Sequence, residues 1–266
     1  MQDSWEIGGP YEYFMGRWSR LVARSFIAWL SPTAGGTWVD IGCGSGALSE
    51  VIANSCRATK VTAIDQSEAF VAEVKRRLGD LVETRVGGAL KLPLPDATVD
   101  FAVSGLVLNF IPEPVKALEE MLRVVRPGGT IALYVWDYSG KMEFLSKFWE
   151  AAVALDSKAL SLHEGTRFPN TTPEKLTALF DSAGVRNPEC APLEIETRFQ
   201  SFDDYWNPFL GGQGPAPTYL MSLREDKREV LKDRLKEGLP TQSDGSILLG
   251  ARAWAIRGNC RQTTSS

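Results

Sequence analysis

The hydrophobic positions of this chain follow two periodicities. Between residues 37 and 136, short continuous apolar runs alternate with segments whose apolar residues recur every three or four positions. The runs have the length of buried strands, and the spaced segments are typical of amphipathic helices. Strands are predicted over 37–42, 60–65, 82–86, 99–105 and 129–136, and helices over 46–54, 67–78 and 113–125. This alternation predicts an α/β fold with a doubly wound, mostly parallel sheet.

The flanking segments are predicted mostly as helices. Helical spacing extends over 18–30, 142–162, 172–184 and 201–238, the last interrupted by glycines at 211–214. Residues 193–199 alternate between apolar and polar, and we expect them to pair with an antiparallel final strand over 247–257. The expected organisation is a leading helical segment over 1–35, a core over 36–200 and 241–258, and a helical lid over 201–240 inserted before the last strand.

Three glycines at alternate positions follow the first predicted strand: Gly42, Gly44 and Gly46. Without a Cβ, their backbone can approach a ligand closely, and the amides of the next helix can bind an anionic group. The second strand ends at Asp65, whose carboxylate can accept both hydroxyls of a ribose. The pattern predicts a site for an adenosine-containing molecule, although its glycine spacing differs from the Gly-x-Gly-x-x-Gly of dinucleotide-binding folds.

Four segments in a fixed order carry a family resemblance: residues 39–46, the strand end at Asp65, residues 92–102 and residues 126–133. Together they are similar to class I S-adenosylmethionine-dependent methyltransferases, in the small-molecule branch of methyltransferase type 11 and ubiquinone/menaquinone methyltransferase-like proteins. Residues 11–20 resemble the N-terminal helix that closes over the cofactor in many members. The resemblance implies a Rossmann-like fold.

The resemblance also implies S-adenosylmethionine as the cofactor, with S-adenosylhomocysteine as its product. Gly42 and Gly44 would face the methionine part, and Asp65 would hold the ribose. Arg17 would bind the cofactor carboxylate through two parallel hydrogen bonds, and Arg20 is a second candidate for this role.

On the adenine side, Gln66 would lie beside the ring, and the loop at Gly88, Ala89 and Leu90 would meet its edge. Many relatives have an acidic residue where this chain has Gly88, so one hydrogen bond to the adenine amino group would be missing. The full expected cofactor set is Arg17, Asp40, Gly42, Cys43, Gly44, Gly46, Asp65, Gln66, Gly88, Ala89, Leu90 and Ser104.

Methyl transfer from a sulfonium is an in-line displacement, so the protein mainly positions the acceptor and excludes water. A general base is needed only where the acceptor must lose a proton. The catalytic candidates are Asn109, after the fourth predicted strand, and His163, the single histidine. Asp137, Tyr11 and Tyr13 are expected near the same region. The expected acceptor is a small, apolar or aromatic molecule of open identity.

The predicted lid is rich in aromatic residues at helical spacing. Two interpretations are open: the aromatics form a core, or the lid lines an apolar substrate pocket, with the glycine stretch as its hinge. The residues concerned are Phe202, Tyr205, Trp206, Phe209, Tyr219 and Met221.

Composition restricts the partners. Lys+Arg of 29 against Asp+Glu of 33 gives a net charge of −4, which argues against a nucleic-acid surface, and the basic triplet 75–77 is expected on a solvated helix face. No apolar run approaches the ~20 residues that span a bilayer, and no signal pattern is present, so a cytoplasmic protein is predicted. The spacing of the four cysteines indicates no metal site, and Cys43 is expected to be a small loop residue rather than a reactive thiol.

Two other functions stay open at this stage. A non-catalytic protein that binds an adenosyl ligand would need the same loop and Asp65, because binding and catalysis use different residues here. A nicotinamide-dependent oxidoreductase is the third hypothesis, and the glycine spacing, Asp40 and the turn at 126–129 count against it.

Overall fold

Seven strands form one sheet in the computed structural model, which describes residues 15–168, 171–211 and 214–261. The strands are β1 (Thr37–Ile41), β2 (Lys60–Asp65), β3 (Glu83–Val86), β4 (Val99–Gly105), β5 (Val125–Trp136), β6 (Arg186–Phe199) and β7 (Ile247–Asn259). The helices are α1 (Arg17–Leu30), α2 (Ala47–Ser55), α3 (Glu68–Leu78), α4 (Pro114–Val124), α5 (Glu143–Leu155), α6 (Glu164–Arg167), α7 (Pro173–Ala183), α8 (Phe202–Trp206), α9 (Pro215–Ser222) and α10 (Glu225–Gly238).

The strand order is β3-β2-β1-β4-β5-β7-β6. The pairs β1–β2, β1–β4, β2–β3 and β4–β5 are parallel. β6 and β7 are antiparallel, since Glu189 binds Arg257 whereas Arg198 binds Ser246. The predicted doubly wound sheet with an antiparallel final strand is therefore confirmed. The order reverses between β1 and β4, and ligands of such sheets bind beyond the carboxyl ends of the strands at this point.

The central strands are buried because their side chains are apolar on both faces. Trp38 and Val39 of β1 are fully buried, and the ring of Trp38 stacks on Phe101 of β4 with 4.0 Å between centroids. α4 begins with Pro114 at its first turn, where the missing N–H costs nothing, and it buries one apolar face that includes Leu118. This packing holds the carboxyl ends of β1 and β4 in fixed positions.

The described residues divide into two compact units. The first, the sheet unit, contains 19–135, 171–193 and 253–261. The second, the aromatic unit, contains 15–18, 136–168, 194–211 and 214–252. The predicted lid over 201–240 thus belongs to a larger unit, and the chain passes from one unit to the other within α1, β5, β6 and β7.

The core of the aromatic unit is built from stacked rings. Phe148 of α5 stacks on Phe209 with 4.6 Å between centroids, and the Tyr205 hydroxyl donates to the carbonyl of Phe144 at 2.8 Å. Tyr205, Phe209 and Tyr219 are all buried. These contacts support the core interpretation of the lid aromatics. Met221, by contrast, is 43% exposed.

Several predicted boundaries differ from the observed ones; for example, β5 begins at Val125 rather than at residue 129. The helix expected over 142–162 ends at Leu155, because Asp156 is extended and its carboxylate accepts the amide of Lys158 to start a separate 3-10 turn. β6 begins at Arg186 although the sequence predicts only 193–199. Pro188 and Pro192 obscure its first half, and a sheet tolerates proline there because β6 is an edge strand.

Candidate functional site

The glycine loop after β1 is fastened to the end of β2 by backbone hydrogen bonds. The amides of Gly42 and Cys43 both donate to the carbonyl of Ile64, at 2.8 and 3.0 Å, and the Gly46 amide donates to the Cys43 carbonyl at 2.8 Å. Cys43 is buried, and burial raises the pKa of its thiol well above the ordinary value. The thiol therefore stays protonated, as expected of a small loop residue rather than a nucleophile.

The three glycines of the loop have positive φ angles, 69° at Gly42, 50° at Gly44 and 83° at Gly46. A Cβ on Gly42 would lie 2.6 Å from a methyl of Val107, and one on Gly46 would lie 2.9 Å from a methyl of Val74. A Cβ on Gly44 would meet no described atom within 4 Å. Two of the glycines are thus required by packing, whereas Gly44 faces open space.

Asp65 connects the glycine loop to the two neighbouring turns. Its Oδ2 accepts the Gly44 amide and its Oδ1 accepts the Ser67 amide, both at 2.9 Å. Its carbonyl accepts the Gly87 amide, also at 2.9 Å. Each carboxylate oxygen keeps capacity for another hydrogen bond, so the group is oriented and can still bind a ligand hydroxyl.

The segment after β3 supplies the loop expected at the adenine edge. The Gly88 carbonyl accepts the Lys91 amide at 3.2 Å, and a Cβ on Gly88 would meet no described atom within 4 Å. Ala89 packs against the hydrophobic core, and Leu90 is 39% exposed. Gln66, which follows Asp65, is also exposed.

Asp40 is a buried carboxyl group next to the loop. Its Oδ2 accepts the Ser49 hydroxyl at 2.6 Å, and its Oδ1 has no hydrogen-bond partner within the described part of the chain. Burial raises the pKa of Asp40 to about 7, an effect that the hydrogen bonds from Ser49 reduce and the charge of Asp65 reinforces. A ligand that donates a hydrogen bond or carries positive charge would stabilise the ionised form.

The end of β4 contributes two further predicted residues. Ser104 is buried, and its hydroxyl donates to the Ile41 carbonyl at 2.7 Å, which ties β4 to the end of β1. Leu106 then has a φ of 64°, a conformation that residues other than glycine seldom adopt and that is concentrated at functional sites. Asn109 follows in a 3-10 turn, and neither its Oδ1 nor its Nδ2 has a partner among residues 15–168, 171–211 and 214–261, although both atoms are buried.

A buried amide without partners costs about 1–3 kcal/mol for each unsatisfied group, and native proteins carry few of them. The side chain of Asn109 offers both a donor and an acceptor. Its two amide atoms could therefore bind a hydrogen-bonding ligand or an ordered water.

Four other candidates belong to the aromatic unit or to undescribed segments. Nη1 of Arg17 donates to both carboxylate oxygens of Asp204, at 2.9 and 3.1 Å, so this guanidinium already binds a carboxylate. Asp137 is buried and accepts Nε of Arg252 at 2.8 Å. Tyr11 and Tyr13 lie outside the described residues.

His163 also belongs to the aromatic unit, where it acts as a helix cap. Its Nδ1 accepts the Gly165 amide at 2.8 Å at the start of α6. Burial lowers the pKa of His163, because the charged imidazolium is disfavoured away from water. Because one ring nitrogen is used in capping, its availability as a base is reduced.

The structure therefore places the predicted cofactor residues of the sheet unit at or just beyond the carboxyl ends of β1, β2, β3 and β4. Among the residues missed by the sequence analysis, Val107 packs on Gly42, and Arg77 donates to the carbonyl of Ser45 within the loop. The described residues contain no group of three or more His, Cys, Asp or Glu side chains that could hold a metal ion. None of the described helices is both long and apolar enough to span a membrane.

Comparison with known proteins matches residues 39–133 to the methyltransferase domain family. A demethylmenaquinone methyltransferase of Bacillus licheniformis is 30% identical over 174 residues, which cover 60% of this chain and 74% of the relative. A trans-aconitate 2-methyltransferase of Sinorhizobium medicae is 30% identical over 248 residues, covering 85% and 88%. A phosphoethanolamine N-methyltransferase 2 of Haemonchus contortus, solved in complex with S-adenosyl-L-methionine, has a TM-score of 0.55 at 15% identity and covers 96% of this chain and 56% of its own.

The structural likeness at this identity concerns the fold, whereas the two sequence relatives share most of their length with this chain. The matched domain begins at Val39 and so includes the glycine loop and Asp65. The chain belongs to the class I S-adenosylmethionine-dependent methyltransferases.

Proposed function

We propose that this protein transfers the methyl group of S-adenosylmethionine to a small, apolar or aromatic acceptor by in-line displacement. The observation that carries the proposal is the arrangement of Gly44 and Asp65. A Cβ at Gly44 would meet none of the described atoms within 4 Å, and the carboxylate beside it is held by two amides with capacity for further hydrogen bonds. Both residues lie in the segment that matches the methyltransferase domain.

The residues of the sheet unit suit an adenosyl ligand. In the proposed arrangement, the Asp65 carboxylate accepts the ribose hydroxyls and Gln66 lies beside the adenine. The loop at 88–90 borders the adenine edge, where backbone groups replace the acidic side chain that Gly88 lacks. The methionine part lies along Gly42 and Gly44, and the positive charge of its amino group suits Oδ1 of Asp40, which no described residue pairs.

The bound cofactor supplies an activated methyl group on a sulfonium. The protein's own contribution is then to orient the acceptor and exclude water, which can supply roughly 7–11 kcal/mol of rate acceleration. We assign acceptor positioning to the Asn109 amide, whose buried atoms have no partner in the part of the chain that the structure describes, in preference to His163, whose Nδ1 already caps α6. Arg17 is assigned a smaller part than the sequence suggests, because Asp204 holds its guanidinium.

The names of the relatives define a first acceptor panel. One is a demethylmenaquinone methyltransferase and another a trans-aconitate 2-methyltransferase, so the panel contains both acceptors together with smaller phenols and carboxylic acids. The measurement is release of S-adenosylhomocysteine from S-adenosylmethionine. We expect acceptor-dependent release by the unmodified chain and its loss in Asp65→Ala. Asp80→Ala, which changes a fully exposed carboxylate, serves as the matched control.

A non-catalytic adenosyl-binding role is the alternative that this assay addresses. Binding of S-adenosylmethionine without turnover of any acceptor would favour that role over methyl transfer. If Asn109→Ala retained turnover, Asn109 would not position the acceptor. The proposed cofactor site would be unaffected by this result.

A further inference from the structure

The basic triplet on α3 separates into two exposed cations and one engaged cation. The side chains of Lys75 and Arg76 are 55% and 70% exposed, whereas that of Arg77 is 20% exposed. Arg77 lies on the same helix face as the buried residues Val74 and Leu78, three positions before it and one after it. The sequence analysis expects the whole triplet to be solvated, and Arg77 is the exception because of this face.

The guanidinium of Arg77 binds two groups at the start of α2. Its Nη1 donates to the Ser45 carbonyl at 2.5 Å, and its Nη2 donates to Oε2 of Glu50 at 2.6 Å. Ser45 lies between Gly44 and Gly46, and Glu50 is in the first turn of α2. Because a guanidinium is planar and its donors are fixed relative to each other, these two charge-assisted bonds set the loop carbonyl against the helix.

The glycine loop is consequently held from two directions. Asp65 binds the Gly44 amide on one side, and Arg77 binds the Ser45 carbonyl on the other. Glycine-rich backbone has many accessible conformations, so a ligand that binds a free loop must bear the entropic cost of ordering it. A loop ordered in advance avoids that cost.

We propose that Arg77 is a positioning residue for the cofactor: by clamping the Ser45 carbonyl, it keeps the glycine loop in the conformation that binds the adenosyl ligand. Arg77 acts through the backbone of the loop and needs no contact with the ligand. This inference rests on the proposed function.

Calorimetric titration of the full chain with S-adenosylhomocysteine tests the role without requiring an acceptor. We expect Arg77→Ala to raise the Kd about tenfold, which corresponds to ~1.4 kcal/mol. The matched control is Arg76→Ala, which removes an exposed cation paired with Glu73 at 2.7 Å on the same helix and should leave the Kd unchanged. Arg77→Lys keeps the charge but cannot serve both acceptors in the same geometry, so it should recover part of the affinity.

Hydrogen exchange distinguishes a loop effect from a general loss of stability. In Arg77→Ala we expect faster exchange of the amides at 44–50 and unchanged exchange in β2. Faster exchange throughout the sheet, an unchanged Kd, or equal losses in Arg76→Ala and Arg77→Ala would overturn the role of Arg77 while the cofactor site stands. Failure of the unmodified chain to bind S-adenosylhomocysteine would overturn the proposed function and this inference together.

Discussion

Gly42 and Gly44 have similar positive φ angles but opposite surroundings, so the same substitution should have different effects at the two positions. An alanine Cβ at Gly42 would collide with Val107 at 2.6 Å, whereas one at Gly44 would meet no atom of the described residues within 4 Å. Both variants pay about 1–2 kcal/mol for the left-handed conformation. We expect Gly42→Ala to lose several kcal/mol more stability in urea unfolding than Gly44→Ala.

Substitution of Gly44 should lower ligand affinity, although it costs less stability than substitution of Gly42. Gly44→Ala places a methyl group where the cofactor is proposed to approach, and Gly44→Val places a larger one there. Titration of the folded variants with S-adenosylhomocysteine should therefore show weak binding that worsens from alanine to valine. Unchanged affinity in Gly44→Val would mean that the loop presents another residue to the ligand.

We expect the buried carboxyl group of Asp40 to make the free energy of unfolding depend on pH. Its pKa is 3.8 in an ordinary environment and about 7 in the folded protein, because burial disfavours the charge. Between these values the unfolded chain binds fewer protons at this group than the folded chain. The free energy of unfolding that this group contributes therefore falls as pH rises from about 4 to about 7, and the penalty is constant above 7.

Asp40→Asn removes this titration and keeps an oxygen that can accept the Ser49 hydroxyl. Relative to the unmodified chain, the variant should gain stability on going from pH 4.5 to pH 7.5, by an amount on the order of 3 kcal/mol. Urea unfolding at both pH values measures the gain, with Asp80→Asn as the exposed control. Equal pH dependence in Asp40→Asn and the unmodified chain would show that Asp40 titrates normally.

At the residue scale, the sequence predicts where a side chain lies in the fold better than it predicts the hydrogen-bond partners of that side chain. Asp65 was recognised because it ends a strand, and the structure adds that both oxygens are already oriented by amides. Arg77 was assigned to solvent because the triplet was considered as one charge run. The spacing from Val74 to Arg77 and Leu78 contains the missing signal, since it places these three residues on one helix face.

At the scale of elements, Arg17 at the start of α1 joins Asp204 of α8. Nη1 of Arg17 donates to both carboxylate oxygens, the pair is only partly exposed, and the guanidinium lies 4.7 Å from the ring centre of Phe199. We expect the unfolding free energies of Arg17→Ala, Asp204→Ala and the double variant to give a coupling energy of about 1 kcal/mol or more. Asp203→Ala, an exposed neighbour, is the control.

The same variants distinguish this structural role from the cofactor role that the family resemblance implies for Arg17. A structural pair predicts similar stability losses in Arg17→Ala and Asp204→Ala, with the same affinity for S-adenosylhomocysteine in both. A marked loss of affinity in Arg17→Ala alone would support the interpretation that Arg17 binds the cofactor carboxylate.

Periodicity located the elements because it reports which face of a segment is buried. It could not give the packing partner of that face. The aromatic positions of α8 and α9 fit either a core or a pocket. The hydrogen bond from the Tyr205 hydroxyl to the Phe144 carbonyl and the packing of Tyr219 on Trp149 support the core. In β6, Pro188 and Pro192 suppressed the strand signal, because sequence alone does not say whether a strand lies at an edge.

At the scale of the whole molecule, the hydrophobic periodicity of the sequence could not predict the division into two units either. Residues 136–168 form one unit with 194–211 and 214–252, which are distant in sequence, although the sequence analysis assigned 136–168 to the core. The strand order of the sheet is easier to predict from sequence. Parallel strands connected by helices are compatible with few strand orders, and the rule that these connections are right-handed excludes most of them.

Ligand binding should stabilise the whole chain by mass action if the cofactor assignment is correct. At a hundredfold excess over the Kd, a ligand that binds only the folded state adds ~2.7 kcal/mol. For a chain of this size that amounts to a rise in Tm of roughly 5–10 °C. We expect S-adenosylmethionine and S-adenosylhomocysteine to produce the shift, NADH to produce none, and Asp65→Ala to lose it. If Asp65→Ala retained the rise in Tm, the ligand would not bind at the carboxyl end of β2. A rise in Tm with NADH alone would contradict the assignment of S-adenosylmethionine as the cofactor.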